Sequence, residues 1–165
     1  IGVRARNVRA ADAWKYVAGL TVGQDLSERR RQMVGPMAQF SLGKSYEGFT
    51  PIGPALVTVD EVDNPGDLAI SCELNGEMVQ SGRTSDLIFD VPALIEHLSA
   101  VLPLLPGDLI FTGTPSGVGV ARKPPRQISA DDVLVSSIEG LGDIRQQFVS
   151  TARGTEVDRD DHPEG

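Results

Sequence analysis

A single cysteine, Cys72, stands in 165 residues, beside two histidines, one tryptophan and an aromatic content of 5%. One thiol cannot close an internal disulfide, and with no paired-cysteine or His-Glu-x-x-His pattern there is no ligand set for zinc. No apolar run approaches the roughly 20 residues that a membrane-spanning helix needs. Basic residues are also scarce, 15 Lys and Arg against 23 Asp and Glu, and the net charge of -8 argues against a phosphate-binding nucleic-acid surface. Arg29-Arg30-Arg31 is too short a cluster to reverse that. These absences leave a soluble, cytoplasmic chain without nucleic-acid or membrane partners as the expectation. A Gly-x-Ser-x-Gly elbow is missing too, and Gly43-Lys44-Ser45 is not a phosphate loop, because Ala38 stands where its upstream glycine belongs.

What is present points to a pocket. In Asp108-Leu109-Ile110-Phe111-Thr112-Gly113-Thr114-Pro115-Ser116-Gly117-Val118-Gly119 a short apolar strand runs into small, backbone-permissive residues. Glycines tolerate positive φ and Pro115 fixes one φ, so backbone and threonine hydroxyls can approach a small ligand closely. A Gly-rich turn without a ligand is the plainer alternative.

The length suits one domain with a real core. Residues 1–150 are read as that domain, opening on Ile1-Gly2-Val3 as the end of a strand, hence N-terminally truncated. Residues 151–165, with Glu156, Asp158, Asp160, Asp161 and Glu164, are read as an acidic, disordered tail. Between them the pattern predicts a short helix over 9–16, a strand over 16–22, and a helix over 28–33 capped by Ser27. A Gly- and Pro-rich ordered loop follows over 34–54, then strands over 56–62 and 68–74. Asn75-Gly76 is a hairpin signal that returns 77–80 onto the preceding strand. Asp90 caps a helix with Val91, Leu94, Ile95, Leu98, Val101 and Leu102 as its buried stripe, and late strands cover 133–138 and 144–149. About six strands with two or three short helices make a mixed α+β, mainly β class, a roll or open barrel, since so few helices cannot cover both faces of a parallel sheet.

Among the candidate chemical groups, Cys72 reads as a buried structural thiol, while His97 and His162 read as solvated. Asp25, at a strand-to-helix corner, could present hard oxygens to a divalent cation or simply cap the helix. Lys44, in its Gly-Lys-Ser turn, could act as a base beside a metal or stay solvated.

The order Tyr16-Val17-Ala18-Gly19-Leu20-Thr21-Val22-Gly23-Gln24-Asp25, Gly43-Lys44-Ser45, Asn75-Gly76-Glu77, Thr84-Ser85-Asp86-Leu87-Ile88-Phe89, Pro106-Gly107-Asp108 and Thr112-Gly113-Thr114-Pro115 resembles the fumarylacetoacetate hydrolase family over about residues 1–150. The likeness is to its acylpyruvase and 2-hydroxyhepta-2,4-diene-1,7-dioate isomerase branch. It implies a β-roll holding Mg²⁺ or Mn²⁺, with Asp25 as one metal ligand and a Glu-x-Glu pair upstream of Ile1 as the others. It further implies Lys44 as the catalytic amine, Arg29 and Gln32 as polar groups toward substrate, and Thr114 beside the substrate carboxylate. Gln24, Glu28 and Arg30 depart from the family pattern, which has Asn, a small residue and an acid there. The implied activity is hydrolysis of a C–C bond in an acylpyruvate-like 2-oxo acid by a homodimer. Isomerisation or decarboxylation of a 2-oxo dicarboxylic acid is one alternative, and a non-catalytic assembly core another.

Overall fold

The computed structural model describes residues 1–150, and the expected disordered tail lies outside the described residues. Among the described residues, six strands form two antiparallel sheets. β1 (Gly19–Gly23) pairs with β2 (Ile52–Thr58). β3 (Ala69–Leu74), β4 (Glu77–Arg83), β5 (Val133–Ile138) and β6 (Gly142–Gln147) form the second sheet in the order β4-β3-β5-β6. The sheets meet where β2 crosses β6: a Cβ added at Gly142 would lie 2.9 Å from Pro54 Cγ, so only glycine lets the proline seat there. Helices are few, as expected: α1 (Arg29–Gln32), α2 (Val91–Val101) and several 3₁₀ turns, among them Ala10–Tyr16 and Leu42–Lys44.

Local chemistry explains these elements. Asn75 and Gly76 take φ of 54° and 81°, the left-handed pair of a type I′ turn, and β3 and β4 pair across it. In α2 the Asp90 carboxylate accepts the Ala93 N–H at 2.8 Å, Pro92 sits in the first turn and Ile95 is buried. Its stripe is shorter than the pattern predicts. Val101 and Leu102 are exposed, because the chain turns there and Leu104, paired with Ala5, takes the buried place.

Other expectations need correction. Tyr16 ends the 3₁₀ segment, so β1 begins only at Gly19. Ser27 does not cap α1; Glu28 does, its carboxylate accepting the Arg30 and Arg31 N–H groups. Residues 109–111 join no ladder, and Leu109 and Phe111 stay 56% and 41% exposed. Up to Asp108 the segment pairs with Ile1; beyond it no described strand lies alongside, and a backbone without a partner is no strand.

Three apolar clusters hold the molecule together. Ala5, Val8, Ala13, Ile95 and Leu104 join the N-terminal segment to α2; Val22, Val62, Leu68 and Leu141 join the sheets; Leu26, Cys72, Leu74 and Leu134 lie under the loop after β1. Cys72 is buried as expected.

Candidate functional site

Strand periodicity sets the floor of a cleft. On one face of the larger sheet Cys72 stands opposite Ser136 of β5 and Gln80 of β4, while Ile70 stands opposite Ile138. The cleft above them holds about 40 Å³ and is walled on one side by Gln24 and Asp25, just past β1, and on the other by Phe111, Thr114 and Pro115. Asp25 and Thr114, singled out in the sequence, thus face one space.

Asp25 lies between β1 and α1, and because Glu28 caps the helix its carboxylate is left free to pair with Lys44 Nζ. Lys44 arrives on the 3₁₀ turn Leu42–Lys44, which is fastened to α1 by the Glu28 N–H donating to Gly43 O at 2.8 Å. A Cβ at Gly43 would stand 2.4 Å from Gln32 Cγ, so glycine is what lets the turn sit on that side chain. Gln32 itself is fully buried and accepts from Arg29 Nη1 at 3.0 Å. Arg29 and Gln32 thus stand behind the lysine turn; neither they nor Lys44 line the cleft, which Lys44 meets only through its ion pair with Asp25.

The threonine wall is held from β4. Gln80 Nε2 donates to Thr114 Oγ1 at 3.0 Å and to Pro115 O at 2.8 Å. Gly117, with φ of 105°, passes so near β4 that a Cβ there would lie 2.0 Å from Val79 O. On the opposite wall Gln24 Nε2 donates to Ser136 Oγ at 2.9 Å, and its Oε1 accepts the Asp25 N–H at 3.1 Å. Burial pushes the Cys72 thiol above its ordinary pKa, with hydrogen bonds from Ser136 and Gln24 acting the other way, so the floor stays neutral. Gln80 and Ser136 escaped the sequence reading because lone amides and hydroxyls form no motif. Their place opposite Cys72 was the available signal once the hairpin and strand register were drawn.

Asp25 supplies hard oxygen, the donor type Mg²⁺ or Mn²⁺ prefers. Yet no three His, Cys, Asp or Glu side chains converge among the described residues. The donors described here fit a divalent ion through one carboxylate and do not complete its site.

The two sheets and few helices make a mixed α+β, mainly β roll, with Asp25 and Thr114 lining one cleft. The model of the fumarylacetoacetate (FAA) hydrolase C-terminal family matches residues 1–149, and the chain belongs to the fumarylacetoacetate hydrolase family. Human mitochondrial oxaloacetate tautomerase FAHD2A is 46% identical over 149 residues, which cover 90% of this chain and 48% of that protein. The crystal structure of 2-hydroxyhepta-2,4-diene-1,7-dioate isomerase from Mycobacterium marinum is 42% identical with a TM-score of 0.79, over 90% of this chain and 54% of that one. Fumarylpyruvate hydrolase from Pseudomonas aeruginosa, solved with Mn²⁺ and pyruvate, is 33% identical with a TM-score of 0.80, over 90% and 61%. The chain spans about half the length of the curated relatives it matches.

Proposed function

We propose that the protein carrying this chain is a divalent-metal-dependent enzyme of 2-oxo acids, and that its reaction moves a proton at the carbon beside the 2-oxo group. The observation that carries this reading is that Asp25, which pairs with Lys44, lines one cleft with Thr114. Keto–enol or double-bond isomerisation of a 2-oxo dicarboxylic acid is the first reading, supported by relatives of those activities at 46% and 42% identity. Hydrolysis of the C–C bond of an acylpyruvate is the second, supported by the hydrolase at 33%.

A bound Mg²⁺ or Mn²⁺ would draw electron density from the 2-oxo oxygen and so favour loss of the neighbouring proton. Asp25 would be its ligand from this chain. Lys44 Nζ, carried on the Gly43 turn beside Asp25, would hold or move that proton, and Thr114 Oγ1 would donate to the substrate carboxylate. The other ligands would be the Glu pair that the sequence resemblance implies.

The test is an assay of the protein carrying this chain with Mg²⁺ and with Mn²⁺. Decay of the oxaloacetate enol absorbance without release of CO₂ or a second product supports isomerisation; release of pyruvate from an acylpyruvate supports hydrolysis. Lys44→Met should lower kcat by about 10²- to 10⁴-fold, the usual contribution of a positioned acid or base. Absence of turnover on both substrate types, with Mn²⁺ binding by calorimetry unaffected by Asp25→Ala, would sink the reading in favour of an assembly role.

A further inference from the structure

We infer that Gln24 is a positioning residue: its side-chain amide ties the end of β1 to β5 and thereby sets where the Asp25 carboxylate stands. The tie rests on geometry alone, and its consequence for turnover rests on the reading proposed above.

Asp25 lies beyond the last β1 residue, where the ladder with β2 has ended. The flanking backbone is anchored elsewhere, Gln24 N–H donating to Pro51 O at 3.1 Å and Leu26 N–H to Phe49 O at 3.0 Å. Between these anchors the Asp25 N–H has a side-chain acceptor, Gln24 Oε1 at 3.1 Å. The other end of the same amide donates to Ser136 Oγ at 2.9 Å and lies 3.5 Å from Cys72 Sγ. One planar group thus reads the position of the cleft floor and passes it to the backbone of Asp25. Among the described residues, the side-chain hydrogen bonds that join β1 and its end to the larger sheet all run through Gln24.

Asp25 needs such a device. Its carboxylate is partly exposed and pairs with a lysine on a separate turn, and a surface ion pair of this kind fixes geometry weakly. Ser136 is buried in the middle of β5, paired on both sides, so it is a rigid reference point. A hydrogen bond from a rigid strand to the backbone of a ligand or acid orients it in the way that outer groups orient metal-binding side chains, where their loss costs about 10- to 100-fold in affinity or activity.

Two variants separate this role from a merely structural one. Gln24→Met keeps length and removes both hydrogen bonds; Ser136→Ala leaves Gln24 in place and removes its anchor. Backbone amide exchange followed by NMR reads the tie directly. The Asp25 N–H should exchange about an order of magnitude faster in each variant, while amides of β3 and β5 keep their protection. In the active protein both variants should lower kcat about 10- to 100-fold with KM nearly unchanged. An Asp25 amide that exchanges at the wild-type rate in both variants overturns the tie, and faster exchange with unaltered kcat overturns the positioning role. A wild-type protein without turnover on any 2-oxo acid overturns the proposed reaction, not the tie, which amide exchange still decides.

Discussion

At the scale of single residues, the cleft is built from pairs in which one side chain aims another. Lys44 meets Asp25, Gln24 ties Asp25 to Ser136, and Gln80 holds Thr114. Thr114 is the most informative of these to change, because its hydroxyl faces the cleft while its backbone belongs to a loop held through Pro115 O. Thr114→Ala removes the hydroxyl and leaves that backbone contact. KM for the 2-oxo acid should rise about tenfold, the loss of one hydrogen bond to a charged group, with the metal activation constant unchanged. Steady-state kinetics at varied substrate and varied Mn²⁺ checks this; equal loss in both would return the segment to a structural turn. Asp25, Lys44 and Thr114 stood out in the sequence because each sits in a short motif with a fixed order along the chain, and the structure brings Asp25 and Thr114 to one cleft. Gln32 was legible as a residue but not as a place, since nothing in its spacing says that it would be buried under Gly43.

At the scale of elements, turn chemistry was the most readable signal and burial the least. Asn75-Gly76 and Asp90-x-Pro92 specify their turn and cap through backbone geometry that few other residues satisfy, and β5 forms over the residues its pattern marks. The apolar run Leu109–Phe111 looked like a strand but lacks a described partner, and a strand is a property of two segments rather than one. The loop after it shows where glycine is required rather than tolerated. Gly117 combines φ of 105° with a Cβ position 2.0 Å from Val79 O, so alanine there must both strain its own backbone and push the loop off β4. Gly117→Ala should destabilise the protein by about 1–3 kcal/mol, read as a lower denaturation midpoint. Because the shift displaces Thr114 as well, KM should rise in the same variant. Gly76→Ala, with open space around its Cβ and φ of 81°, makes the comparison: it carries backbone strain without the clash and should leave KM unchanged.

At the scale of the whole molecule, acidity and apolar exposure act together. The net charge of -8 gives a repulsion that opposes non-specific association at neutral pH, although large apolar side chains such as Met37, Ile88 and Phe89 stand in solvent. Near the isoelectric point of about 4.7 that repulsion vanishes. Folding does not fail at the same pH. Asp132 is held below the ordinary carboxylate pKa by Asn75 Nδ2, then the Ser129 N–H and Arg126, while Asp67 is held below it by Arg83 and Ser85. A carboxylate whose folded pKa is depressed contributes stability that is fully present above its unfolded value of about 3.9 and is lost only as pH falls through the lower folded value. At pH 4.7 these contributions are still intact, so the protein should precipitate as a folded species. Turbidity should peak near the isoelectric point, and material redissolved at pH 7 should regain its circular-dichroism spectrum without a refolding step. Unfolding should begin only below about pH 4, and Asp132→Asn should lower the melting temperature at pH 7 but by a shrinking margin as pH falls toward 3. Loss of the folded spectrum already at pH 5, before any turbidity, would show that other groups govern acid stability and that the Asp132 cluster does not hold β5 to the hairpin turn.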